Sequence, residues 1–159
     1  MSGLSVNLTL EGMDLAMDFA TRLAAADMGE LREGVGGVIE SQTKRRIMSE
    51  KTSPDGEAWA DNGRDNPIMD DTGALNDSIA YTVAGEVITV GASVPYAAQR
   101  QFGGVIKAVN AQRLVFTVGG KTVAVPQVEQ IARPFLGVST DNMSEIESEI
   151  DAFLREVAA

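Results

Sequence analysis

The apolar residues of this chain follow a helical period at both ends and a period of two in the middle, which limits the fold to helices flanking a block of hairpins. From Met13 to about Met28, Leu15, Phe19 and Leu23 recur every fourth residue with Ala20 and Ala24 beside them, one face of an amphipathic helix. A second helix is expected from about Glu30 to Met48 on Leu31, Val35, Val38, Ile39 and Ile47. Gly34, Gly36 and Gly37 weaken it, and either admit a close neighbour or mark a bend. Lys44, Arg45 and Arg46 near its end complement the helix dipole, with a binding patch as the alternative. At the other end, Met143, Ile146, Ile150, Phe153, Leu154 and Val157 mark the buried face of a C-terminal amphipathic helix over 140–159, capped by Ser139 or Asp141.

The middle reads differently. Ile79 to Val83 and Val87 to Gly91 alternate around Ala84, Gly85 and Glu86, and Arg113 to Val118 and Lys121 to Val125 alternate around Gly119 and Gly120, two hairpin signals. Ser5 to Leu10 alternates as a further strand that Gly12 ends. Thr72 can cap a short helix through Leu75 to Ser78, and Pro95 is placed at the first position of another covering Tyr96 to Phe102, closed by Gly103 and Gly104. At 159 residues the chain suits a single domain over 1–159 with a real core. The expected class is α+β: a small antiparallel sheet of hairpins packed against two or three helices, with a long N-terminal helical region and the C-terminal helix.

Residues 49–72 carry no period and form a long loop, of the kind that is usually functional or flexible. Within it, Ser53-Pro54-Asp55-Gly56 has turn chemistry: Pro54 fixes φ, Asp55 bonds back to the main chain, and Gly56 accepts a positive φ. Trp59, the only tryptophan, pins the loop to the body.

Residue types exclude most chemistry. With no cysteine and no histidine, the chain has no disulfide, thiolate or imidazole metal ligand, Ser-His-Asp or Cys-His catalysis, or usual neutral-pH base. Asp61, Asn62, Asp65, Asn66, Asp70 and Asp71 offer hard oxygen ligands, but their spacing does not match a calcium loop, and a solvated polar loop is the expected reading. The glycine pairs lack the Lys and Ser/Thr of a phosphate cradle. No cofactor and no enzymatic site are expected. The N-terminus has no basic, apolar leader pattern and no stretch is long and apolar enough to span a membrane, so a soluble protein made in the cytoplasm is expected.

The net charge of -10 is unevenly placed. Residues 96–139 hold Arg100, Lys107, Arg113, Lys121 and Arg133 against Glu129 alone, a net +4, which leaves -14 elsewhere. The plain reading is clustered surface charge; the sharper one is a basic face that meets an acidic face of another copy. Two motifs lie in that stretch. YAAQRQFGG contains Tyr96, Arg100, Gln101, Phe102, Gly103 and Gly104, and ARPFLG contains Arg133, Pro134, Phe135 and Leu136. Both concentrate aromatic residues, glycine and proline in place of titratable groups.

Taken in order, SPDGEAW, TGALNDSI, VGASVPYAAQRQFGG, ARPFLGVS and an acidic terminal helix resemble the virion morphogenesis, or tail-completion, proteins of Mu-like tailed phages over about residues 10 to 157. The resemblance implies a small structural protein of the phage neck, present in the virion, which completes the tail and enables head-tail joining as a ring-forming subunit, six-fold in the expected case. Its implied partners are itself, the head connector or adaptor, and the tail terminator, with at most weak, non-specific contact with passing DNA, no membrane and no cofactor. It assigns the assembly contacts to Tyr96, Arg100, Gln101, Phe102, Gly103, Gly104, Arg133, Pro134, Phe135 and Leu136, with loop contacts from Pro54, Asp55, Gly56 and Trp59. Arg100 departs from the pattern, standing where relatives are expected to carry His, so no imidazole role carries over. The Tyr96 to Gly104 helix and the ARPFLG turn are expected to pack together. The alternatives are a tail terminator or a head-tail connector of another type, and, further off, a small hydrolase.

Overall fold

The computed structural model describes residues 11–61, 68–69, 72–118 and 120–159; the strand expected over Ser5 to Leu10 lies outside them, as do Asn62, Asp65, Asn66, Asp70, Asp71 and Gly119. The class is α+β. Helices α1 (Met13–Ala25), α2 (Met28–Arg45), α3 (Ala74–Asp77), α4 (Ala97–Phe102) and α5 (Thr140–Ala158) alternate with strands β1 (Ile79–Ala84), β2 (Val87–Ala92), β3 (Gly104–Lys107), β4 (Leu114–Val118), β5 (Lys121–Val125) and β6 (Gln127–Gln130).

The first helix stops earlier than its apolar pattern suggests. Ala26 turns extended and the Asp27 carboxylate accepts from Gly29 N at 2.7 Å, so an N-cap begins α2 inside the stretch expected to belong to α1. At its other end α2 runs straight into a π-helical turn, Arg46–Glu50, which Lys51 ends at φ 56°. The residues that follow are not featureless. Thr52 and Ala58 bridge, and Gly56 N donates to Ser53 O at 3.0 Å across the Pro54-Asp55 turn.

Two of the α2 glycines are explained by close approach. A Cβ on Gly36 would collide with the Tyr81 ring of β1, and one on Gly34 with the Glu149 side chain of α5. Side-chain-free positions on α2 thus seat the β1–β2 ladder and α5, its two main neighbours. Tyr81 is also hydrogen-bonded to Glu33, which raises the phenol above its ordinary pKa.

The strands form three separate antiparallel ladders, β1–β2, β3–β6 and β4–β5. Only β1–β2 lies on a helix. Its two-residue turn places Gly85 at φ 60°, as a tight hairpin requires. The hairpin at Gly119-Gly120 pairs Val118 with Lys121. The β3–β6 ladder, Gly104↔Gln130 to Lys107↔Gln127, is not expected from the sequence and brackets β4–β5 in chain order.

The core gathers Ile47, Trp59, Leu75, Ile79, Ala97 and Phe135. Ile146 and Phe153 bury the inner side of α5, whose N-cap is Ser139, accepting from Asn142 N at 3.1 Å. Pro95 precedes α4 by two residues and does not open it; Tyr96 is the cap position.

Candidate functional site

The two motifs meet. Gln101 on α4 accepts from Phe135 N at 2.9 Å and Leu136 N at 3.0 Å through Oε1, and donates from Nε2 to Leu136 O at 3.0 Å. One amide therefore satisfies three backbone groups of a segment with no secondary structure of its own. Arg133 N adds a bond to Arg100 O at 2.8 Å. Gly103 lets the chain leave α4 at φ 70°, and a Cβ there would stand 2.8 Å from both Ala132 N and Gln130 O, so backbone passes backbone with no room for a side chain.

From the opposite side comes Arg46, a residue that is 2% exposed. Its Nη1 donates to Phe135 O at 2.6 Å and Gly137 O at 3.3 Å, and its Nη2 to Asn142 Oδ1 at 2.6 Å. No carboxylate bonds to it. Burial, opposed by nearby Glu50, lowers its pKa, and Nε has no partner. A guanidinium stays charged under such a shift, so the carbonyl ring must compensate the loss of water.

The loop closes the third side. Trp59 is 7% exposed and its Nε1 donates to Pro134 O at 3.0 Å, while Pro54 packs where a Cβ on Gly137 would stand. Arg133 is 5% exposed and donates to Ala60 O at 2.8 and 3.1 Å and to Asp61 O at 3.3 Å; burial, then the charge of Arg100, lowers its pKa. Asp55 and Gly56 remain at the exposed tip of the turn. We refer to this set of contacts around residues 132–137 as the clasp.

The sequence candidates thus divide by exposure. Gln101, Arg133, Phe135 and Trp59 are engaged inside the clasp, with Pro134 and Leu136 half-buried in it. Arg133 is neither a surface ion pair nor part of a basic face. Arg100 is half-buried against Gln130 Oε1 at 3.4 Å. Tyr96 at 41% and Phe102 at 79% exposure, with Gly104, face outward.

Sequence reasoning missed Arg46 and Asn142. In the Lys44-Arg45-Arg46 run only Arg45 and Lys44 behave as helix-end surface charges, with Glu145 and Glu40 at 2.6 Å. Position 46 falls on the same stripe as Val35, Ile39 and Gln42, a signal that the charge obscured.

A polar groove of about 560 Å³ lies beside the clasp between Arg45, Pro54, Asp55 and Asp141. Among the described residues no group of three or more Asp or Glu side chains is arranged to hold a metal, and no helix is long and apolar enough to cross a membrane. The clasp's polar atoms bond almost wholly to the chain itself, so its evident work is to fix backbone.

Beyond the clasp, residues 104–130 carry two short ladders in succession, β3–β6 and β4–β5, separated by residues 108–113 on one side and Pro126 on the other; together they make an arm. None of its described residues is buried. Lys107, Arg113 and Lys121 are exposed on it, so the basic surface of the 96–139 stretch lies here and not at Arg133.

No curated protein and no solved structure matches the chain. The model of the phage virion morphogenesis family matches residues 8–155, nearly its whole length. The chain belongs to that family, and its role is in the structure or assembly of a phage virion.

Proposed function

We propose, with membership of the phage virion morphogenesis family as the premise, that this chain is a non-enzymatic subunit of the phage neck that completes the tail and enables its joining to the head. It acts as one member of a homo-oligomeric ring, between a head connector or adaptor and the tail terminator. The observation that carries this reading is the split between a fixed clasp and the exposed basic arm rooted in it. A catalyst gathers polar groups toward a cleft. Here they hold backbone, and the exposed groups lie on an element shaped for contact with protein.

A ring subunit makes heterologous contacts, in which one face docks on a different face of its neighbour, and a charge distribution of +4 against -14 suits that geometry. The acidic total favours a conduit that DNA passes without adhering.

The test is a phage deleted for this gene. Lysates should hold filled heads and separate tails of normal length, and purified protein added back should restore joining. Tails of uncontrolled length would identify a terminator instead, and normal infectious particles would overturn the proposal.

A further inference from the structure

The 104–130 arm is an incomplete structure by itself. An isolated two-stranded hairpin is marginally stable in water, because it has no second layer to cover its apolar face. Here Leu114 lies opposite Val125 and Phe116 opposite Val123, and all four are only half-buried. No helix packs extensively across either arm ladder.

A second exposed face lies on α1, which among the described residues packs mainly on α5. None of its residues is buried; Leu15 at 77% and Phe19 at 37% exposure form one apolar stripe, and Met13 at 47% and Met17 at 62% form another nearly opposite it on the helix. Asp14 and Asp18 lie about 100° around the helix from Leu15 and Phe19, following Glu11, with Asp18 also paired to Arg22 at 2.7 Å. This is an acidic margin around an apolar stripe, while the arm has a basic margin (Lys107, Arg113, Lys121) around its own.

The two elements are anchored at opposite ends of α5. Asn142, near the start of α5, bonds Arg46 in the clasp from which the arm departs, whereas Ala158 O at the far end accepts from Arg22 Nη1 of α1 at 3.2 Å. Sixteen residues of helix separate those anchor points, about 24 Å at 1.5 Å per residue. Two different and complementary faces on one subunit are what links copies head to tail and closes into a ring when the rotation allows.

We propose that the 104–130 arm lies on α1 of a second copy of this chain, the apolar ladder covering the Leu15 and Phe19 stripe, with Lys107 and Lys121 beside Asp14 and Asp18. The inference rests on the ring reading above and specifies its contact. It can fail while the neck assignment stands.

The experiment is a charge exchange in complemented phage, with the purified full-length variants checked by circular dichroism and thermal melting. Lys107→Glu/Lys121→Glu and Asp14→Lys/Asp18→Lys should each lower the yield of joined particles roughly a hundredfold through like-charge juxtaposition at the contact, with folding unchanged. Combining all four substitutions should recover most of that loss. Because the chain has no native cysteine, Leu15→Cys and Val118→Cys, each on one of the two proposed contact faces, report the contact directly when introduced together, through a short bismaleimide on particles. A ladder of multimers supports the proposal. A cross-link confined within one chain, or no cross-link and no charge rescue in joined infectious particles, overturns it while leaving the neck role intact. Normal particles without the gene would overturn the neck role, and the cross-link between purified chains would still decide the contact.

Discussion

The clasp and the arm are adjacent in sequence, yet they are held together by opposite means. Around residues 132–137 a guanidinium, a glutamine amide and an indole from three remote elements reach backbone carbonyl and amide groups, and Phe135 is fully buried. Between 104 and 130 the backbone satisfies itself strand to strand, and no described side chain is buried. The first region is stable through what it excludes from water, and the second leaves its apolar side chains only half covered. A motif that looks most important in sequence can therefore be the foundation, and the plainer hairpin beside it the working surface.

Substitutions should separate the two regions. The largest effect belongs to Arg46→Ala, which leaves three acceptors without their donor and a void beside Phe135; about 3–5 kcal/mol of stability should be lost, read from urea unfolding of the purified chain. A loss below about 1 kcal/mol would mean that the carbonyl ring does not depend on the cation. Gln101→Ala should cost about 1–3 kcal/mol, from two amides and one carbonyl left unbonded. Gly103→Ala should cost more than about 1 kcal/mol, since the residue combines a positive φ with backbone contact. In the arm, Phe116→Ser should change stability by less than about 1 kcal/mol, the scale of a cross-strand pair, while it impairs particle assembly. If it melted the chain as Gln101→Ala does, the contrast between the regions would be lost.

The smallest effect is a pH dependence on the clasp side. Hydrogen bonds from Arg45 and Gln42 hold the Glu145 carboxyl below its ordinary 4.5. A depressed folded pKa gives stabilisation that is complete above the unfolded value and fades as pH falls through the folded one. Melting temperature should therefore drop on acidification below about 4.5, and Glu145→Gln should flatten that part of the curve. The carboxylate is nearly half exposed, so the effect is modest.

How much of this was legible in sequence depended on the range of the interaction that decides it. The β1–β2 and β4–β5 hairpins, α1 and α5 follow local period and turn chemistry, and those are written in neighbouring residues. The β3–β6 ladder joins two four-residue strands too short for alternation to register. The break at Ala26-Asp27 was hidden because the apolar pattern runs on past the cap. YAAQRQFGG and ARPFLG stood out by composition, but which side chains face inward was not visible: Arg133 carries a surface charge's label and is buried, and Phe102 carries a core label and is 79% exposed. Arg46 was hidden by its two charged neighbours. Its partners lie 89 to 96 residues away, beyond any local pattern.

That separation bears on how the protein folds. Arg46 is made 89 residues before Phe135 and 96 before Asn142. Until they arrive the cation has no carbonyl ring, and burying it would carry a heavy desolvation cost. Contacts of such long sequence separation require loop closure first and are slow to form. The root of the arm is consequently set only after Asn142 has been made, later than the arm itself.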